Sequence, residues 1–170
     1  AKHFRTRTEL ALEALQAVRT WVSGPILLLA DGAYNHNGMA APLAKLRIGL
    51  VSRLRYDARL RDLTPLPRTG RRGPRPRLGR RFTPRELHAE RSAFAPLTVA
   101  AYGKQVTFLA RELLAYWVTA SCVIKVVITQ DPRNPGRFAY LSTTDTNLSA
   151  TQILELFARR WSIEQLFSVC

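Results

Sequence analysis

Ile26-Leu27-Leu28-Leu29-Ala30-Asp31-Gly32 joins five consecutive apolar residues to an acid and a glycine. Five residues is strand length, and an unbroken apolar run is the pattern of a strand covered on both faces. The expectation is a central strand that stops at Asp31. Upstream, Thr6-Arg7-Thr8-Glu9 has the form of a capping box. Leu10, Ala14, Leu15, Val18 and Trp21 then recur at helical spacing until Ser23-Gly24-Pro25 ends the helix. Downstream, a short helix is expected over 39–46, with Asn37 or Gly38 near its cap, and a second strand over 48–55. Strand, helix, strand at this spacing is an α/β layer.

Composition changes abruptly after that layer. Between Arg59 and Arg81 stand nine arginines, four prolines and three glycines, with Asp62 the only acid. Proline and glycine at that density exclude a helix or a central strand, so an extended, mobile arm is expected. Guanidinium groups so crowded repel one another unless anions screen them, which points to phosphate; a solvated linker is the alternative. Strand formers return from Phe94 to Thr144, with candidates over 97–101, 105–109, 115–120, 123–129 and 138–142. Turns are expected at Tyr102-Gly103-Lys104 and over 131–136. This reads as a small antiparallel subdomain set into the α/β layer.

A last helix opens at Ser149-Ala150-Thr151-Gln152, a second capping-box pattern, with Leu148 and Ile153 spaced as a hydrophobic staple. At 100° per residue, Ile153, Phe157, Arg160, Glu164 and Phe167 share one side. Glu155, Ala158, Arg159, Ser162 and Gln165 share the other. An arginine and a glutamate therefore stand within the apolar stripe, where a charge costs several kcal/mol to desolvate without a partner. They could neutralise each other one turn apart, or Glu164 could face a metal ion in a cleft. The organisation expected is a core segment over 1–56, an arm and β-rich insertion over 57–148, and an acidic helix over 149–170.

The 170 residues suit one domain, or one plus an insertion. A hydrophobic content of 46% can build a core, while a net charge of +14 favours a polyanionic partner, nucleic acid first. Two cysteines without a C-x-x-C pattern argue against a disulfide framework and a cysteine zinc site. His3, His36 and His88 are scattered without ligand spacing and read as surface or loop residues. The longest weakly polar run, 113–124, is too short to span a bilayer. No leader-like segment opens the sequence, so a cytoplasmic chain without a membrane partner is expected.

Asp31 follows an apolar strand, and ligands of α/β sheets gather at strand carboxyl ends. Glu164 comes 133 residues later. A carboxylate from a strand end and another from a helix suit Mg²⁺ or Mn²⁺, hard ions that prefer oxygen ligands. Such ions serve in-line phosphoryl transfer, and the arginines would hold a polyanion near acids that otherwise repel it.

With those residues in view, the chain resembles the DDE transposases of bacterial insertion sequences. The similarity rests on Leu28-Leu29-Ala30-Asp31-Gly32-Ala33-Tyr34 and, more specifically, on Leu141-Ser142-Thr143-Thr144-Asp145 followed by 153–167. Many members carry tyrosine, then arginine three positions on, then the catalytic glutamate four further, then lysine seven beyond. Here Phe157 replaces the tyrosine, Arg160 and Glu164 match, and the lysine would fall one residue past Cys170.

The resemblance implies a partial RNase H-like mixed sheet with helices, and a β-rich insertion before the acidic helix. It also implies metal-dependent cleavage and strand transfer on DNA, both transposon ends and target. Asp31 would be the second aspartate and Glu164 the glutamate, both metal ligands. Arg160 would touch DNA phosphate or orient Glu164, and Arg53, Arg55, Arg71, Arg72 and Lys104 are further DNA-binding candidates. Trp161 reads as packing, and Asp145 as structural near the helix start. A homodimer of the full-length protein is admitted.

One departure from the family pattern matters most. No aspartate precedes Asp31, and Glu9 and Glu13 fall on the first helix. The chain therefore reads as the later part of a transposase, without the first three strands and the first metal ligand, and inactive alone. Two competing readings stand beside it. One is a non-catalytic basic nucleic-acid-binding module in which Arg160 and Glu164 are only a structural pair. The other is a ribosome-associated basic protein, which leaves Glu164 unexplained.

Overall fold

The structure, a computed structural model, describes residues 4–67, 76–101 and 103–168, with 161–168 described by backbone alone. Its elements run α1 (Arg7–Trp21), β1 (Ile26–Ala30), α2 (Asn37–Lys45), β2 (Ile48–Arg53), β3 (Leu60–Arg61), β4 (Arg81–Phe82), β5 (Ala95–Ala101), β6 (Lys104–Trp117), β7 (Cys122–Asp131), β8 (Asn134–Thr143) and α3 (Ala150–Ser168). Among the described residues the strands form a single mixed sheet in the order β1-β2-β8-β7-β6-β3-β4, with β5 also paired to β6. Only β1 and β2 are parallel; every other pair is antiparallel. A mixed sheet with helices is the α/β class expected, and it is compatible with a partial RNase H-like fold.

The alternation of side chains across the strands divides the core in two. On one face, Ile48 and Leu50 of β2 pack with Met39 and Leu43 of α2 and, half-buried, with Leu12 and Leu15 of α1. That same side continues through Leu54, Leu60, Phe82, Leu87, Trp117, Ile124, Val126 and Ile128. On the other face, Val51, Val127 and Leu141 receive Ala150, Ile153 and Phe157 of α3. Ile153 is fully buried, a removal from water worth about 1.5–3 kcal/mol. Both expected capping boxes are present. Glu9 N–H donates to Thr6 Oγ1 while Thr6 N–H donates to Glu9 Oε2. Gln152 N–H likewise donates to Ser149 Oγ, and Ser149 N–H to Gln152 Oε1.

Five expectations are corrected. First, β1 is an edge strand of the described sheet, with residues 26–29 only half-buried. Its apolar run records two covered faces, since Ile26 and Leu28 face the α2 side and Leu27 and Leu29 the α3 side. Strand edges are backbone, on which that pattern is silent. Second, the β-rich segment continues the core sheet, because β8 pairs with β2 from Val51↔Thr143 to Arg53↔Leu141. Third, the strands expected over 105–109 and 115–120 are one strand, β6. Arg111 in its middle donates to Leu87 O at 3.2 Å and Glu90 Oε2 at 2.8 Å, so a charged residue does not interrupt the ladder.

The fourth correction concerns the arm. Its described flanks are anchored: β3 and β4 pair, with Leu60 opposite Phe82 and both buried. Arg61 is spent on the carbonyls of Leu78 and Gly79 at 3.1 Å. A Cβ at Gly79 would lie 2.2 Å from the carbonyl oxygen of Thr64, so the two flanks meet backbone to backbone only because that residue is glycine. Histidine 88 is likewise no plain loop residue. It stacks on Phe138 with ring centroids 3.6 Å apart, and its Nε2 is hydrogen-bonded to the Tyr140 hydroxyl.

Two measurements follow from this packing. Gly79→Ala forces backbone apart and is expected to cost about 1–3 kcal/mol in urea unfolding. Gly24→Ala, with nothing within 4 Å of the added methyl, serves as the near-neutral control; equal midpoints would remove the anchored-flank account. Burial, and then the Arg85 and Arg91 guanidiniums, push the His88 pKa down. The fold thus prefers the neutral ring, which can accept the Tyr140 hydroxyl proton. Its contribution is complete above the unfolded value of about 6.5 and is lost as pH falls through the lower folded value. Stability should therefore drop below about pH 6.5 more steeply in the wild-type chain than in His88→Gln; parallel curves would contradict this.

Candidate active site at the carboxyl end of the parallel strands

β1 ends in Ala30, whose side chain is buried, and the next residue turns outward. Asp31 is extended and precedes a 3₁₀ turn, Gly32–Tyr34, whose Tyr34 N–H donates to the Asp31 carbonyl at 3.0 Å. The Asp31 side chain remains 55% exposed. Alongside, β2 ends at Arg53. Gly32 passes close to it, since a Cβ there would stand 3.3 Å from Arg53 Cβ. Asn35 ties the turn down: its Nδ2 donates to Arg53 O at 2.8 Å and to Ser142 Oγ at 3.0 Å. One side chain thereby fastens the loop after β1 to the end of β2 and to β8.

α3 reaches the same place from the far end of the sequence. Arg160 Nη2 lies 3.6 Å from Asp31 Oδ1, and the arginine side chain is only 15% exposed. Its guanidinium also sits over the Phe157 ring, 5.4 Å from the centroid. With Asp31 half in solvent, such an ion pair contributes only about 0.2–1 kcal/mol. Its importance is geometric: residues 129 positions apart meet at the end of β1. Glu164 belongs to α3 one turn further on; its side chain lies outside the described residues.

The other candidates divide. Arg53 is exposed at the strand end and lines a cavity of about 290 Å³ with Arg137, Thr129, Asp131, Leu154 and Phe157. Arg55 has both sides of its fork on Asp57, Nε to Oδ1 at 2.8 Å and Nη2 to Oδ2 at 2.7 Å. Lys104 opens β6 at the exposed tip of the β5–β6 hairpin, where Gly103 takes the positive φ of 75° that the turn requires. Arg71 and Arg72 lie outside the described residues. Asp145 stands away from Asp31, accepting from Asn147 N–H at 3.1 Å just before α3.

Asn35, Arg137 and Glu155 were not singled out from sequence. Glu155 accepts the Ala100 N–H at 3.0 Å, which fixes α3 to β5. The roles of Asn35 and Glu155 depend on partners 18 to 107 residues distant, Arg137 meets Arg53 only across a cavity, and no local pattern encodes such pairings. A polar residue shortly after Asp-Gly was the single local hint, at Asn35.

The chemistry on offer is an oxygen donor for a hard cation beside the guanidinium of Arg160. Among the described residues, no three of His, Cys, Asp or Glu cluster as a metal site, and no helix is long and apolar enough to cross a membrane. Mg²⁺ keeps several waters and often takes one or two protein carboxylates, so the half-exposed Asp31 fits such an ion as one ligand of a small set. Asn35→Ala should loosen this end of the sheet, lowering stability by about 1 kcal/mol in urea unfolding. No change would mean that the two hydrogen bonds do not hold the loop.

A family model for the DDE superfamily endonucleases matches residues 1–108. The matched part contains Asp31, Arg53 and Lys104, while Arg160 and Glu164 fall beyond it. No curated protein matches the chain.

Proposed function

The chain belongs to the DDE superfamily of endonucleases, and from that premise we propose that it is the part of a DNA transposase that supplies Asp31 and Glu164 to metal-dependent phosphodiester cleavage and strand transfer. One observation carries the proposal. Arg160 stands at the carboxylate of Asp31, so α3 is docked at the carboxyl end of β1. Glu164 is four residues beyond Arg160, a rise of about 6 Å along the helix and a turn of roughly 40° from the same side.

In this reading Asp31 and Glu164 hold Mg²⁺ or Mn²⁺. The bound ion supplies Lewis-acid polarisation of the phosphoryl oxygens and neutralises developing charge. The chain's own part is to bind and orient DNA. Arg53 and Arg137 line one cleft and can clamp phosphate in the bidentate manner of guanidinium groups. Arg160 stands next to the acid, and Lys104 extends the positive surface along the hairpin. These residues hold a backbone against the repulsion of the carboxylates. No aspartate precedes Asp31 in these 170 residues, so the chain offers two of the three acids of the family pattern.

A second reading has its own observation. The Arg160–Asp31 pair neutralises the carboxylate without a metal, as expected of a non-catalytic nucleic-acid-binding module. Calorimetric titration with Mn²⁺ separates the two. The endonuclease-derived site is expected to bind Mn²⁺ weakly and to lose it in Asp31→Asn and in Glu164→Gln, while the module binds none. On supercoiled plasmid the chain alone is expected to nick weakly or not at all; vigorous Mg²⁺-dependent nicking abolished by Asp31→Ala would refute the two-acid account.

A further inference from the structure

The contact between Arg160 and Asp31 has a thermodynamic consequence for whatever binds there. A guanidinium keeps its charge at every accessible pH, so it cannot yield to a second cation by losing a proton. It must move, or be screened. Here its Nη2 is 3.6 Å from Asp31 Oδ1, within the space a divalent ion on that oxygen would share. Two cations at that range repel, and the repulsion subtracts directly from metal affinity. The arginine approaches from the helix side and is largely buried, while the carboxylate is more than half exposed. The Phe157 ring lies under the guanidinium, so the charge has a favourable contact that does not involve Asp31. Phosphate is a partner that a guanidinium takes bidentately, and the exposed Arg53 stands at the neighbouring strand end.

We infer that Arg160 couples DNA to cation at this site: it neutralises Asp31 while DNA is absent, and a DNA phosphate drawing on its guanidinium releases the carboxylate for the divalent ion. The inference rests on the metal-site reading above and adds its regulation. Coupling of this kind is reciprocal, so DNA tightens metal binding by the factor by which metal tightens DNA binding. The functional gain is that the chain holds a divalent ion mainly when a substrate phosphate is present.

The test is Mn²⁺ binding by the full 170-residue chain, followed by calorimetry and by electron paramagnetic resonance of free Mn²⁺. Arg160→Gln is expected to tighten Mn²⁺ by about two- to fivefold, the scale of a partly exposed ion pair. Arg160→Lys, which keeps the charge, is expected to stay near the wild type. A saturating DNA duplex should tighten Mn²⁺ in the wild-type chain but not in Arg160→Gln. Asp31→Asn with the same duplex reports the ions held by DNA itself. Asp31-dependent Mn²⁺ binding that is unchanged or weaker in Arg160→Gln overturns the inference and leaves the metal-site reading intact. Mn²⁺ binding that is absent, or indifferent to Asp31→Asn, overturns both. Should Arg160→Gln melt out by circular dichroism, the wild-type chain decides: no change in Mn²⁺ affinity with DNA, beyond that of Asp31→Asn, ends the proposal.

Discussion

Ile153 and Phe157 enter the layer formed by Val51, Val127 and Leu141, and the arrangement at the end of β1 depends on that burial. The helix carrying them is amphipathic only in part, because Arg160 follows on the same side. Apolar burial closer to the helix start holds the charged turn in place. Ser149 and Gln152 fix where the helix begins, and the Glu155 bond to Ala100 N–H fixes its distance from β5. With start, face and flank determined, Arg160 reaches Asp31 with little freedom left. A charge inside an apolar stripe is tolerable here because its partner is a half-solvated carboxylate in place of a dry interior.

The sheet explains why Asp31 and Arg160 meet where they do. β1 and β2 are parallel and end together, at Ala30 and Arg53, so the chain leaves both strands on the same side of the sheet. Backbone turning away at a shared strand end leaves room that loops and a helix can line. Asn35 closes that opening from within the β1–α2 loop, and β8 contributes Ser142 because it is the next strand along. The long antiparallel extension through β7 and β6 is thus more than an appendage. It supplies the neighbour against which β2 and α3 are registered, and the cleft that Arg53 shares with Arg137.

Positive charge is distributed unevenly in its use. Arg55, Arg61 and Arg111 have partners of their own, in Asp57, the Leu78 and Gly79 carbonyls, and Glu90. Those side chains tie turns and loops to the sheet. Arg53 and Lys104 stand exposed at a strand end and a hairpin tip, where a polyanion can reach them. The net charge of +14 is therefore carried by side chains in two situations, some tied to the fold and others open to an anion.

Local chemistry in the sequence was sufficient for the elements whose cause is local. Capping boxes at Thr6 and Ser149, the stop after Trp21 and the helix bearing Arg160 are made by neighbours within four residues, and the strand before Asp31 shows in its unbroken apolar run. The DDE kinship was also legible, from the Asp-Gly block and the spacing of Arg160 to Glu164. Other features were decided only by tertiary structure: β1 at a sheet edge, β8 against β2, the anchoring of β3 to β4 through Leu60 and Phe82, and the meeting of Asp31 with Arg160. Side-chain patterns report which faces are covered, but strand edges pair through backbone amides that every residue carries alike. Contacts across 129 residues arise only when the whole sheet sets two distant segments side by side.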